Sequence, residues 1–392
     1  MPWKIFDVEE QRWRFLQQAR QAAPRGFAAL CRRCGVSRKC GYKWMQRVAK
    51  LGRLGLSDLC RRPRQKGRAF PEQWHREVLR LHAVHYAVGA RKVHALLRAA
   101  HPKKRLPAER TIHRWMRAAG VVRPAARVPG PICRAATTLS GRWPNDVWTI
   151  DFKGWFRTGD GHRVQLLTVR DLASSYLLAA RHLAQPDERN VARCLRSLFR
   201  RHGLPKAIRM DRGAPFCGDG PRHWSRLSVG WINLGIAVQI TRRARPQDNA
   251  AHEQMHRVLK ADTASPPART LAQQQRRVDR WRHWYNEQRP HERLRQRPPS
   301  TVYHPSARRW PVPLRVVIYP PHWPALLVDL RGHVFWRGKR WQIGRAFHGQ
   351  RVGLRLRRAH HEVYFGSDLL GVLVPHDHLI RPVRLSSRRQ FR

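Results

Sequence analysis

Apolar residues recur along this chain with two different periods. From residue 1 to about 65, and again from 71 to 122, they return every three or four positions with few β-branched residues among them, the spacing of helices. Glu72 to His85, Ala90 to Ala100 and Glu109 to Ala119 read as three helices, the last ended by Gly120. A stretch with Pro124, Pro129, Gly130, Pro131, Gly141 and Pro144 interrupts the pattern and reads as a linker. From Val147 to about Pro305 strand-like runs alternate with helices. Pro311, Pro313, Pro320, Pro321 and Pro324 mark a second break, and the tail carries short β-like runs at His333 to Ile343, Arg351 to Arg357 and Glu362 to Gly366. No internal repeat of solenoid period is present.

The 392 residues suggest two or three domains, and a hydrophobic share of 42% supports real cores rather than a disordered basic tail. Lys and Arg number 79 against 25 Asp and Glu, a formal net charge of +54. A GC-rich genome, biased toward Arg, Ala, Pro and Gly codons, would produce part of the same bias. The remainder calls for a polyanion, and nucleic acid is the expected partner because self-repulsion on this scale is relieved by bound phosphates. No apolar run approaches the roughly 18 residues that span a bilayer, and no basic amphipathic helix stands out for a membrane surface. The acids in MPWKIFDVEEQ argue against a signal peptide, and seven cysteines are too few for a disulfide framework, so a reducing, cytoplasmic and nucleoid-associated setting is expected.

In the first region, Phe27-Ala-Ala-Leu30-Cys-Arg-Arg-Cys-Gly35-Val-Ser37 fits a helix, a tight glycine turn and a second helix. Leu30 and Val36 are spaced to pack between them, and the Ser37 hydroxyl suits an N-cap. The second helix is expected to show Arg38, Lys39, Lys43 and Arg47 outward, with Tyr42 and Trp44 between. That is the charge pattern of a helix in a major groove, and equally that of a helical hairpin with a solvated basic face. The helix from Glu109 repeats the theme with Arg110, Arg114 and Arg117. Cys31, Cys34, Cys40 and Cys60 invite a zinc reading, but the Cys-x-x-Cys pair falls inside a helix and its turn, so they are read as small hydrophobes.

The alternating region carries the chemistry. Val147-Trp-Thr-Ile-Asp151-Phe152 is a strand pattern broken by one acid. Val164 to Val169 and Tyr176 to Ala180 continue an antiparallel meander around a turn at Gly159-Asp160-Gly161. After a helix from Asn190 to Arg201, Ala207-Ile-Arg-Met-Asp211 is a second apolar strand finishing on an acid. Pro246-Gln-Asp-Asn249 reads as a helix start, capped by Asp248 or Asn249, with Glu253 about one turn inside. Each acid taken alone is an ordinary strand end or helix face. Together, in a chain poor in acids, they ask for a cation between them, and oxygen donors favour Mg2+ or Mn2+. Two such ions about 3.5–4 Å apart can activate a water or a 3′-hydroxyl and stabilise the leaving oxygen of a phosphodiester.

Trp148-Thr-Ile-Asp151-Phe-Lys-Gly, Met210-Asp211-Arg-Gly213-Ala-Pro-Phe216 and Pro246-Gln-Asp-Asn249-Ala-Ala-His-Glu253 resemble the three signatures of DDE transposases, specifically bacterial insertion-sequence enzymes sharing the retroviral-integrase core. Ala261 to Pro267, the helix from Leu271 to Tyr285, Asn286-Glu-Gln-Arg-Pro-His-Glu, Pro299-Ser-Thr-Val-Tyr303 and the β-rich tail extend the resemblance along nearly the whole chain. It implies a helix-turn-helix domain over 1–65, a second such helical domain over 70–125, a linker over 126–143, an α/β ribonuclease H-like core over 144–305 and a small all-β SH3-like barrel over 315–392. It also implies Asp151, Asp211 and Glu253 as metal-binding catalytic residues, Asp151 bridging two ions and each other acid holding one. Strand cleavage and joining by in-line attack, binding of the element's terminal repeats and of target DNA, and a homo-oligomer follow from the same resemblance. Arg257 and Lys260 join the basic residues above as candidate DNA contacts.

Two departures stand out. Arg212 follows the second acid where the family has Asn, and Arg242-Arg-Ala-Arg245 precedes Pro246 where it often has a Pro-Gly pair. The 41 residues between Asp211 and Glu253 also exceed the retroviral spacing. A catalytically decayed DNA-binding repressor remains an alternative. So does a zinc peptidase, because His252-Glu253-Gln-Met-His256 spells H-E-x-x-H, although that leaves Asp151, Asp211 and the basic helices without a role. Trp155 and Phe156 are candidates to position DNA. Trp281, Trp284 and Tyr285 are expected in the core, and His252 and His256 on a helix face near phosphate.

Overall fold

The computed structural model describes residues 7–21, 26–58, 70–85, 87–122, 141–241, 250–311, 317–357, 360–373 and 380–381. They fall into two compact units, residues 1–69 and residues 70–392.

The first unit holds three helices, α1 (Val8–Gln21), α2 (Phe27–Arg33) and α3 (Arg38–Leu51). Phe15, Leu16, Phe27, Leu30, Cys31, Trp44 and Val48 make its core. The turn between α2 and α3 is the expected one: Gly35 takes φ +65°, and the Ser37 hydroxyl accepts from the Cys40 N–H at 3.2 Å. Gly41 lets α2 and α3 close up, since a Cβ there would lie 2.8 Å from the Phe27 ring.

In the second unit, the three helices expected between 71 and 122 are α4 (Glu72–Val84), α5 (Ala90–Ala100) and α6 (Glu109–Ala118). The alternating region forms β1 (Val147–Arg157), β2 (Arg163–Asp171), β3 (Leu177–His182), α7 (Glu188–His202), β4 (Ala207–Met210), α8 (Arg226–Asn233), β5 (Ala237–Ile240), α9 (Ala250–Thr263) and α10 (Leu271–Glu287). The sheet order is β3-β2-β1-β4-β5, with β1, β2 and β3 antiparallel and β4 and β5 parallel to β1. The meander read from the sequence is therefore one half of a mixed sheet, completed by two parallel crossovers.

Two apolar layers cover this sheet, and strand alternation decides which residue enters which. Trp148, Ile150, Leu167, Val169, Ile208 and Met210 pack with Val191, Leu195 and Phe199 of α7 and Leu227 and Trp231 of α8. On the other face, Val164, Leu166 and Leu177 pack with Met255 and Leu259 of α9 and with Val278, Trp281, Trp284 and Tyr285 of α10. That second cluster also takes in Trp74, Val78, Val93, Leu97, Ile112 and Met116 of α4, α5 and α6, so these helices share a continuous core with the sheet.

The tail adds β6 (Ala325–Leu327), β7 (His333–Trp336), β8 (Lys339–Gln342), β9 (Arg351–Arg357), β10 (His360–Phe365), β11 (Asp368–Leu373) and β12 (Ile380–Arg381). They form a five-stranded sheet, β12-β11-β10-β9-β6, and a separate hairpin, β7-β8. The tail is thus all-β, but the expected barrel is not closed among the described residues. The run read as one strand from His333 to Ile343 is a hairpin folded at Arg337 and Gly338, both at positive φ. Its core, with Val334, Trp341, Phe347, Val352 and Phe365, extends to Trp224 and Val229 beside and on α8.

Candidate active site

Both strand acids stand where apolar strands run out. Val147 to Ile150 are buried, and Asp151 is the first half-exposed residue of β1. In the parallel ladder Ile150 pairs with Met210, so Asp151, midway along β1, and Asp211, the first residue past β4, each follow a paired residue on adjacent strands. Ile150 and Met210 enter the α7–α8 layer. Continuing the pleat turns both aspartates to the opposite face, the one that α9 covers. Asp211 is exposed, and its Oδ1 accepts from the Arg212 N–H at 2.7 Å and from the Thr241 hydroxyl at 3.0 Å. The Arg212 guanidinium is drawn back to the Thr241 carbonyl at 3.3 Å.

Asp171 ends β2 with the same apolar-then-acid pattern, yet its environment differs. It is fully buried, and its carboxylate accepts from the N–H groups of Asn145 and Ser174, each at 2.7 Å, and from the Ser174 hydroxyl. Burial pushes its pKa up against those hydrogen bonds. All of its capacity goes to holding a turn.

α9 lies on the Asp151 face. Its stated cap residues, Asp248 and Asn249, lie outside the described residues together with Arg242 to Pro246. Glu253 is exposed near the start of α9. His252 and His256, expected on a helix face near phosphate, are instead buried at 1% and 8% exposure. One turn apart, they converge on a single hydroxyl: Thr168 Oγ1 of β2 lies 2.6 Å from His252 Nε2 and 2.7 Å from His256 Nε2, and it donates to the Asp151 carbonyl at 2.9 Å. His252 Nδ1 lies 2.9 Å from the Thr149 hydroxyl, and His256 Nδ1 lies 4.0 Å from Asp151 Oδ2. Thr149, Asp151 and Thr168 share a face through the β1–β2 register, Asp151 facing Thr168. A polar pocket this dry is stable only when its donors and acceptors match.

Burial sets the protonation of this pocket. It holds the His252 imidazole well below its ordinary pKa, with the charges of His256 and Arg170 acting in the same direction. It lowers His256 to about 3, with Lys153 adding to the effect. Lys153, two residues beyond Asp151, is itself pushed down by burial and then by Lys260, while Asp151 opposes the shift. Both imidazoles are therefore neutral at ordinary pH.

Among the described residues, one group of His, Cys, Asp and Glu side chains is close enough to hold a metal: Asp151, His252 and His256, with ligand atoms within 4.8 Å of one another. Asp211 and Glu253 stand outside it. The sequence supplied Asp151 on the strength of its strand. It gave no sign of the two threonines, because a hydroxyl on a strand reads as β-propensity and nothing more.

Arg38, Lys39, Lys43, Arg110, Arg114, Arg117, Arg257 and Lys260 are exposed. Arg47 and Trp44 depart from the outward reading. Arg47 donates to the Ser57 carbonyl and lies over the Trp44 ring, and Trp44 is buried at 6% exposure because α3 needs it for the small core of the first unit. Trp155 is exposed at 55%, whereas Trp281, Trp284 and Tyr285 are in the core, as expected. Cys31 is buried and Cys34 exposed, both as free thiols, and Cys60 lies outside the described residues.

The mixed five-stranded sheet with helices on both faces has the architecture of an integrase-type core. Family models described as integrase core domain match residues 142–246 and 234–299, and one described as the IS481 family transposase C-terminal domain matches residues 325–373. The chain is 30% identical over 215 residues to the insertion element IS407 uncharacterized 31.7 kDa protein of Burkholderia multivorans, covering 54% of this chain and 74% of that one. It is 27% identical over 228 residues to the insertion element IS476 uncharacterized 39.2 kDa protein of Xanthomonas euvesicatoria, covering 57% and 62%. Among solved structures, a simian T-cell lymphotropic virus intasome in complex with PP2A regulatory subunit B56 gamma aligns at a TM-score of 0.38 and 14% identity, over 76% of this chain and 99% of that one. The HTLV-2 integrase catalytic core domain in complex with magnesium aligns at 0.33 and 12%, over 42% and 99%. The chain belongs to the insertion-sequence transposases built on the integrase core, a family of metal-dependent polynucleotidyl transferases. No helix among the described residues is long and apolar enough to cross a membrane.

Proposed function

We propose that this transposase cuts and joins DNA at the terminal repeats of its element, using Asp151, Asp211 and Glu253 as the metal-binding carboxylates. The observation that supports this reading is the parallel register, in which Ile150 and Met210, the residues just before Asp151 and Asp211, are paired, with Glu253 on the helix α9 whose His256 approaches Asp151. The donor chemistry fits a divalent cation: carboxylate oxygens on a strongly basic chain, with an imidazole nitrogen 4.0 Å from one of them. Mg2+ or Mn2+, as a pair, would supply activation of a water or 3′-hydroxyl and neutralisation of the leaving oxygen.

The chain's own residues do the rest. Thr241 and the Arg212 N–H hold the Asp211 carboxylate in one rotamer, and Thr168 fixes the Asp151 backbone. Exposed Arg257 and Lys260 follow Glu253 along α9 and offer charge to the DNA backbone, and Trp155 offers an exposed ring for stacking. The helices of 1–65, read as a helix-turn-helix domain with Arg38, Lys39 and Lys43 outward, and those of 70–125, with Arg110, Arg114 and Arg117, recognise the repeats and their flanks. The 126–143 stretch links them to a core over 144–305, and the SH3-like tail over 315–392 contacts DNA or a second subunit. Joining two element ends in one complex calls for an oligomer.

Asp151→Asn, Asp211→Asn and Glu253→Gln test the assignment. Each is expected to lower strand cleavage of terminal-repeat DNA by at least about a hundredfold, a loss of roughly 2.7 kcal/mol in transition-state stabilisation, while retaining DNA affinity. Cleavage by all three variants at the wild-type rate sinks it.

A further inference from the structure

The hydrogen bonds around Thr168 fix which nitrogen of His256 is available. A threonine hydroxyl has one proton, and Thr168 gives its proton to the Asp151 carbonyl. At its two imidazole contacts it therefore accepts, and both Nε2 atoms carry hydrogen. His252 is then used up, its Nδ1 lying 2.9 Å from the Thr149 hydroxyl, whose single proton is shared between that nitrogen and the Arg170 carbonyl at 3.3 Å. His256 is not: in the neutral ring its Nδ1 is a lone pair, and the polar atom facing it is Asp151 Oδ2 at 4.0 Å. An imidazole lone pair and a carboxylate oxygen are the two kinds of ligand atom that a divalent transition ion takes. At 4.0 Å the two atoms are within about 1 Å of the separation of neighbouring ligands on one divalent cation, so a small closure would let both hold it. A ligating imidazole also characteristically donates its other N–H to a fixed oxygen, as His256 does to Thr168.

We propose that His256 Nδ1 is a nitrogen ligand to the divalent cation held at Asp151, which makes this a mixed oxygen–nitrogen centre binding Mn2+, Co2+ or Zn2+ more tightly than Mg2+. A carboxylate-only site would suit Mg2+, whereas imidazole shifts preference toward the first-row transition ions. His252 and Thr168 act as positioning residues that lock the His256 ring in its Nε2–H form. The inference rests on the reading of Asp151 as a metal ligand.

Pulsed electron paramagnetic resonance of the full-length protein with stoichiometric Mn2+ tests it. The wild type is expected to show the nuclear modulation of a directly bound imidazole 14N, replaced by the 15N pattern when histidine is labelled. Asp151→Asn should abolish the signal, and His256→Gln should abolish it while lowering Mn2+ affinity about tenfold or more with little change for Mg2+. Mn2+ that is lost in Asp151→Asn but shows no nitrogen coupling in the wild type overturns the inference and leaves the Asp151 assignment standing. Mn2+ binding indifferent to Asp151→Asn overturns both. Nitrogen coupling that persists in folded His256→Gln also overturns it. Where that variant does not fold, the labelled wild type and Asp151→Asn decide alone.

Discussion

Asp151, Asp171 and Asp211 share one sequence signature, an acid closing an apolar strand, and meet three different fates. Asp171 is buried and occupied by backbone donors, Asp211 is exposed and steadied by Thr241, and Asp151 lies half-open beside two imidazoles. Spacing and context picked out Asp151 and Asp211. What separates them from Asp171 is burial, which no single-residue pattern reports. Likewise H-E-x-x-H was legible as two histidines on one helix face, but their partners on β1 and β2 were not, because they lie 84 to 103 residues away in sequence. The buried histidines make stability depend on pH. His256 and His202 have folded-state values lowered to about 3 and about 4, and His291 to about 2, against about 6.5 in the unfolded chain. The unfolded state thus binds more protons between these values. Their contribution is complete above about pH 6.5 and is lost as pH falls toward the folded values, by about 2 kcal/mol per histidine between pH 7 and 5. Urea midpoints measured across that range should fall steeply, and a midpoint unchanged from pH 7 to 5 contradicts the buried, neutral assignment.

At the scale of elements, α4, α5 and α6 were read from their apolar stripes to within a residue, and α10 through the resemblance to within two. The elements between Asp211 and Glu253 were not read. α8 is eight residues and β5 four, too short for a period to emerge. They occupy much of the long interval between the two acids and complete the parallel half of the sheet. β6, three residues long, was missed for the same reason. How α10 holds the edge strand was also hidden: Asn286 accepts from the Leu177 N–H at 2.8 Å and donates to the Leu177 carbonyl at 3.0 Å, standing in for a neighbouring strand on β3. Asn286→Leu strands both backbone groups in a buried place, at about 1–3 kcal/mol each. Urea denaturation should show an unfolding free energy lower by that amount, with faster amide exchange at Leu177. An unaltered exchange rate there would contradict the clamp.

At the scale of the molecule, composition pointed to nucleic acid and the motifs to the core. Neither could show how the helices of α4 to α6 are used. An amphipathic helix announces that one face is buried, not what buries it. Here Trp74, Val93, Leu97 and Met116 share a cluster with the sheet and with α9 and α10, and the tail shares another with Trp224 and Val229. A fragment spanning 141–311 therefore exposes both, at about 25 cal/mol per Å² of apolar surface uncovered. It is expected to melt well below the 70–392 fragment and to aggregate, whereas 70–392 should melt close to the full chain, since residues 1–69 are a separate compact unit. Equal melting temperatures for 141–311 and 70–392, by scanning calorimetry, would refute the shared cores.

The central claim is that this basic chain breaks a phosphodiester at the element's ends rather than merely occupying them. Incubation of the full-length wild type with end-labelled DNA carrying the terminal repeat and its flank, with and without Mg2+ or Mn2+, tests that claim most directly. The expected result is a metal-dependent nick mapped to the repeat's boundary, leaving a 3′-hydroxyl. Salt-sensitive binding of the same DNA with no cut under either ion would contradict it and favour a repressor.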